Sequence, residues 1–438
     1  MGRLALLAAL IGCARLAVAG TVWIDTDVSI GSPIREVDDA YALVLALHSP
    51  EIHIAGISTS YGNAPLGHTT RVARELIRQF GGPANMRPEQ VFAGATTAAD
   101  IGRRTEASEA LATVLKTESV TYVALGPLTN LATFLRLHPG GARKIKRVIF
   151  LGGQAQGTTL AFGPRRSFHI HDANVFKDPP AAAAVVRSNI PLTLVPIATA
   201  SELLLNDENL RELERQGGAG NYLARRSKVW LWFWTHFAKT KGGPIFDALA
   251  LVAATRPELV STKGRYAKMD EAGNLVVSDS LTSKARRVRF GTTFAPGTKP
   301  FVMRRLISRR GRDWHSTRDD RDVRSRGGFH ERFLFKEKRP SRFDGDHAQM
   351  RFRRHLDRRD TDDRHVEAHV LAGLGDFHHD RVLSTKRAAA FDRLVRALET
   401  FHRQDRPVFH DYGLADVEPA HFPCDLKAER DVVFFAPA

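Results

Sequence analysis

The chain has only two cysteines in 438 residues, Cys13 and Cys424. That number cannot build a disulfide framework or a thiolate metal centre, so any bound metal must be held by oxygen or imidazole. A membrane-spanning run is also missing from the N-terminus, because the apolar stretch Leu4 to Gly12 is too short to cross a bilayer. Arg3 ahead of that stretch and Ala17-Val18-Ala19 behind it complete the pattern of an export signal cleaved before Gly20. Residues 1–19 are therefore expected to be removed, leaving a periplasmic or extracellular protein. Leu10-Ile11-Gly12-Cys13 also fits a lipoprotein box, and a lipidated Cys13 would tether the protein to a membrane surface.

Periodicity is scarce in the last third. Beyond about residue 308 the chain reads SRRGRDWHSTRDDRDVRSRGG and stays dense in Arg, Asp and His, with eleven of the 18 histidines after residue 300. Clear strand patterning returns only at Val432 to Phe435. Residues 308–438 read as a disordered tail, or as a stretch that is not a natural reading frame. Arginine is concentrated there, in a chain whose formal net charge is +16. A nucleic-acid-binding arm is disfavoured by its many Asp residues and its lack of a regular motif.

The first two thirds are patterned throughout. Apolar runs at Thr21 to Ile24, Ile52 to Ser58, Val120 to Leu125, Lys146 to Leu151 and Pro191 to Ile197 predict strands. Helical spacing falls between them, at Val37 to Leu47, 68–80, after Gly126-Pro127-Leu128-Thr129-Asn130, and at Ala181 to Val186. This alternation predicts an α/β domain over residues 20–307, with an open, mostly parallel sheet and helices on both faces. Ligands of such sheets sit at the carboxyl ends of the strands.

The stretch WIDTDVSIGSPIREVDDAYALVLALHSP crowds Asp25, Asp27, Glu36, Asp38 and Asp39 between a strand and the helix after it. Like charges at close range need a compensating cation or a protonated member. Gly31, Ser32 and Pro33 would let the chain fold back so that Asp27 meets the Asp38-Asp39 pair. Hard carboxylate oxygens suit Ca²⁺ or Mg²⁺. The plainer alternative makes Asp38 or Asp39 a helix N-cap.

These residues resemble the signature of the inosine/uridine-preferring nucleoside hydrolases. The matching pieces are Asp25-Thr26-Asp27, Gly31 and Asp38-Asp39-Ala40, then Tyr61-Gly62-Asn63, Gly126-Pro127-Leu128-Thr129-Asn130 and Leu151-Gly152-Gly153. Asp172-Ala173-Asn174, Asp178-Pro179 and Phe246-Asp247-Ala248 complete the order. The resemblance implies calcium-dependent hydrolysis of the N-glycosidic bond of a small-molecule ribonucleoside, and it leaves a homo-oligomer open. It implies Ca²⁺ held by Asp27, Asp39, Asp247 and the carbonyl of Leu125, with Asp27 deprotonating the attacking water. It places Asp38, Asn63, Asp172 and Asn174 around the sugar.

Departures from the pattern concern the base more than the sugar. The 28–37 loop is longer than the family's turn, Thr158 follows Gly157 where members have Asn, and Asp172 replaces Glu. Phe246 stands where many members carry a His that protonates the leaving base. His236 is the first replacement considered, with His169 and His171 as others, and the aromatic segment Val229 to Trp234 could stack a base. Two rival readings remain at this level: a nucleoside-binding protein without catalysis, and a haloacid-dehalogenase-type phosphatase using Asp25-Thr26-Asp27, which would need a downstream Lys.

Overall fold

The computed structural model describes residues 20–32 and 35–307. The export signal with Cys13, the two loop residues Pro33 and Ile34, and the whole of 308–438 with its expected strand lie outside the described residues.

Among those described, ten strands form one sheet. They are β1 (Gly20–Thr26), β2 (Ile52–Thr59), β3 (Val91–Ala93), β4 (Val120–Ala124), β5 (Ile145–Leu151), β6 (Gln154–Ala155), β7 (Leu192–Val195), β8 (Val260–Met269), β9 (Leu275–Ser278) and β10 (Arg286–Phe294). Their order across the sheet is β3-β2-β1-β4-β5-β7-β10-β8-β9-β6. All pairings are parallel except those of β8 with β9 and with β10. The expected open, mostly parallel sheet is present. The antiparallel part after residue 260 is an addition to it. Charged side chains on β8, such as Lys263 and Arg265, break the apolar runs that mark the buried parallel strands.

The main helices are α1 (Asp38–Leu47), α2 (Leu66–Phe80), α3 (Glu106–Thr117), α4 (Thr129–Leu137), α5 (Pro179–Arg187), α6 (Lys228–Trp232), α7 (Phe246–Thr255) and α8 (Thr298–Leu306). α3 is a helix beyond those expected from the sequence. Its signal is legible, since Ala107, Leu111 and Leu115 recur at helical spacing and Thr105 accepts a capping bond from the Ser108 N–H at 3.1 Å.

Strand alternation sends side chains of β1 to two cores, with Val22 and Ile24 on one face and Trp23 on the other. α1, α7 and α8 cover the first face, and α3, α4 and α5 the second. Every residue of α1 is buried, as are nearly all of α7, which packs against it. Helices enclosed in this way are apolar all round. Each large aliphatic side chain they bury contributes roughly 1.5–3 kcal/mol. The acidic residues at their first turns, Asp38, Asp39 and Asp247, are thus carried into the interior by an apolar framework.

From β1 the chain winds out to β2 and β3, then returns to β4 on the other side of β1. The reversal makes the carboxyl ends of β1 and β4 the crevice where ligands are expected.

Candidate active site

Asp27 follows the last residue of β1. The N–H of Asp27 donates to Asp39 Oδ1 at 3.2 Å, and the Thr26 hydroxyl donates to the same oxygen. The loop after β2 brings in Asn63, whose N–H donates to Asp27 Oδ2 at 2.7 Å and whose side-chain amide donates to Asp39 Oδ2 at 3.0 Å. The long 28–37 loop therefore does fold back. It turns at Gly31, with φ of +91°, and the Ser29 hydroxyl donates to the Glu36 carbonyl at 3.0 Å. The N-cap position of α1 is Val37, with no side-chain cap, so neither Asp38 nor Asp39 serves as the cap.

Asp38, Asp39 and Asp247 each offer an oxygen within 4.8 Å of the others, and all three are buried. Burial, then repulsion by Asp38, pushes Asp39 up to about 6. Burial and the neighbouring carboxylates hold Asp27, Asp38 and Asp247 well above the ordinary carboxylate range. Asp27 Oδ1 and Asp247 Oδ1 are buried with no hydrogen-bond partner among the described residues. Unmet acceptors on crowded, desolvated carboxylates fit a hard divalent cation.

The Leu125 carbonyl, expected as a backbone metal ligand, accepts a bond from the Asn174 amide at 2.6 Å. The same amide donates to the Leu151 carbonyl at 3.1 Å, so Asn174 bridges the ends of β4 and β5. Sequence reasoning missed Lys177, whose ammonium lies 3.8 Å from Asp27 Oδ2 in a nearly buried position. Its signal was position alone, between the matched Asn174 and Asp178.

Two other acidic residues are tied into the framework by hydrogen bonds. Asp25 accepts from the Ser58 hydroxyl at 2.6 Å and the Asn130 amide at 2.8 Å, tying β1 to β2 and α4. Asp172 caps the short helix Ala173–Phe176, and its Oδ2 takes the Gly153 N–H at 2.6 Å. Each of its carboxylate oxygens accepts one backbone donor, at the position the resemblance implied would face the sugar. Burial pushes both of these carboxyls up to about 6.

A pocket opens over the acidic group. Asp38, Asn63, Asn174 and Asp247 line it, with Leu125 and Glu36. Glu36 takes the Trp230 indole N–H at 2.7 Å, and burial pushes its carboxyl up to about 7. The rest of the lining is mainly apolar. Phe168 and Ile170 come from the antiparallel hairpin Leu160–Phe162/Phe168–Ile170, and Trp234 from the π-turn that continues α6. Trp234 packs edge-on to Phe168 at 6.0 Å and to Phe246 at 5.8 Å, which makes the aromatic part continuous. Phe246 is therefore in the pocket, and so is His171. His236 is not; it lies exposed and stacked on Trp232. Thr158 is also exposed.

A sequence model of the inosine-uridine preferring nucleoside hydrolases matches residues 22–297. The chain belongs to this family. This nucleoside hydrolase is 28% identical over 275 residues to uridine nucleosidase 1 of Arabidopsis thaliana, covering 57% of this chain and 78% of the relative. It is 27% identical over 256 residues to the pyrimidine-specific ribonucleoside hydrolase RihB of Shigella flexneri serotype 5b (strain 8401), covering 53% and 80%. Its fold is that of a solved plant nucleoside hydrolase, PpNRh1, with a TM-score of 0.56 and 24% identity over 66% of this chain and 99% of the other. As a nucleoside hydrolase the chain is an enzyme of N-glycosyl bonds that acts on ribonucleosides. The family decides against the phosphatase reading, although Lys177 stands beside Asp27 as that reading required.

Proposed function

We propose that the enzyme is a calcium-dependent N-ribohydrolase that releases ribose and free base, with Asp27 as the base that deprotonates water. The observation that carries this reading is the convergence of Asp27, Asp38, Asp39, Asn63 and Asp247 at the carboxyl end of β1, under one pocket that is polar on these residues and otherwise mainly apolar. When bound, Ca²⁺ supplies positive charge that favours deprotonation of the attacking water and grips vicinal hydroxyls. Asp27, Asp39 and Asp247 are the side chains proposed to hold it, with the second lone pair of the Leu125 carbonyl.

Asp38, Asn63 and Asn174 then orient the sugar, with Asp172 behind them fixing the turn that carries Asn174. Cleavage develops positive charge on the ribose, and the surrounding carboxylates favour that oxocarbenium-like state. The apolar part of the pocket takes the base and excludes water. Uridine is the first substrate to test, since both curated relatives are named for pyrimidine nucleosides. The expected result is equimolar uracil and ribose from uridine, separated by chromatography, and at least about a 10³-fold loss in Asp27→Asn. Activity retained by that variant would remove Asp27 from its role. The same loss is the prediction that separates catalysis from mere nucleoside binding.

We also read residues 1–19 as an export signal, supported by its basic flank, apolar run and small-residue site. A mature N-terminus at Gly20, found by mass spectrometry, is the expected result. A lipidated Cys13 would replace it with an anchored form.

A further inference from the structure

We infer that His171 is the catalytic residue that donates a proton to the departing base, doing what Phe246 at the head of α7 cannot. The inference rests on the hydrolase reading above and adds the missing acid to it.

Of the seven histidines among the described residues, His171 alone lines the pocket. Period-two alternation in the hairpin turns Phe168 and Ile170 toward the pocket and leaves His169 exposed. His236 is held outside by Trp232, with ring centroids 5.5 Å apart, and by its Nδ1 contact of 3.2 Å with the Trp232 carbonyl. The His171 ring stacks on Phe176 at 4.9 Å and 21°, which fixes its plane at the pocket wall. It lines the same pocket as Phe168, Trp234 and Phe246, the aromatic side chains that suit a base. The acidic groups lining the same pocket are Glu36, Asp38 and Asp247, and Asp172 beside it is held by backbone donors.

Imidazole is the side chain whose ordinary titration lies nearest neutrality, which suits it to protonate a leaving group. As the C1′–N bond breaks, its electron pair passes to the base, and a ring nitrogen or carbonyl oxygen of the base takes the imidazolium proton. Water adds its oxygen to C1′ and gives its proton to Asp27. Solvent then reprotonates His171 and removes the proton from Asp27, so water and nucleoside become ribose and base with no other reactant.

The test compares two leaving groups in the full-length protein. A uracil or hypoxanthine needs a proton as it departs, whereas 4-nitrophenolate from 4-nitrophenyl riboside does not. His171→Gln should lower kcat on uridine and inosine by about 100-fold or more, while leaving the nitrophenyl riboside within roughly threefold. Phe176→Ala, which removes only the stacking ring, should show a smaller loss of the same selective pattern. Parallel loss on both substrate types in both variants, or no loss on either, would overturn the assignment of His171. A wild-type enzyme inactive toward all three substrates would instead overturn the hydrolase reading on which it rests.

Discussion

Asp247→Asn is expected to reduce ribose release by at least about 10³-fold and to abolish the rise in melting temperature that a divalent cation produces. The amide nearly preserves shape, so the buried start of α7 keeps its packing. What changes is charge. Asp247 lies within 4.8 Å of Asp38 and Asp39, and all three are desolvated. Burial, with repulsion from Asp38, Asp39 and Asp27 added to it, drives its carboxyl upward. Removing that charge relieves the metal-free protein, whose melting temperature should hold or rise. The same change deletes one hard oxygen charge from the cation's donors and weakens its grip. The two shifts have opposite signs, which separates a metal site from a structural carboxylate. Thermal melts with calcium and with chelator, together with a ribose assay, read both. A variant that stays active and still gains stability from the cation would contradict the role given to Asp247.

Gly62→Ala should be nearly as damaging, though it removes no functional group. An added Cβ at this position would lie 1.8 Å from Asp27 Oδ2, and the backbone φ of +155° is one that side chains rarely adopt. Either Asp27 leaves its place or the loop carrying Asn63 does, and both break the 2.7 Å bond between the Asn63 N–H and Asp27. Misplacement of a catalytic group by an ångström costs about 10²-fold, so kcat/KM for uridine should fall at least that far. The urea midpoint should fall as well, by an amount equivalent to roughly 1–3 kcal/mol. Kinetics within a fewfold of wild type would show that the contact between Gly62 and Asp27 is not needed.

Much of this arrangement was legible in the sequence because it is local. Asp27, Asn63, Leu125 and Gly152 each follow a buried strand, and strands of this kind announce themselves as apolar runs. The acidic pair opening α1 stood out because the helix after it is apolar on every side. What stayed hidden depends on tertiary placement. Period and composition make His169, His171 and His236 equal; the hairpin and the π-turn decide which of them reaches the pocket. Nothing in the sequence but its position marks Lys177; the turn after Asn174 lays it against Asp27. Asp25 and Asp27 are two residues apart with the same chemistry, yet Ser58 and Asn130 claim the first for the framework. The resemblance implies that Asp172 faces the sugar, and only the fold shows that its carboxylate also accepts the Gly153 and Val175 N–H groups.

The measurement that bears most directly on the account is ribose release from uridine by the purified full-length protein, before and after removal of divalent cations, followed by return of calcium. Activity should be lost on chelation and return with calcium, while the chelated protein stays folded by circular dichroism. Unchanged turnover in the thoroughly chelated protein would contradict it, because the crowded carboxylates of Asp27, Asp39 and Asp247 would then be working without the cation they are built to hold.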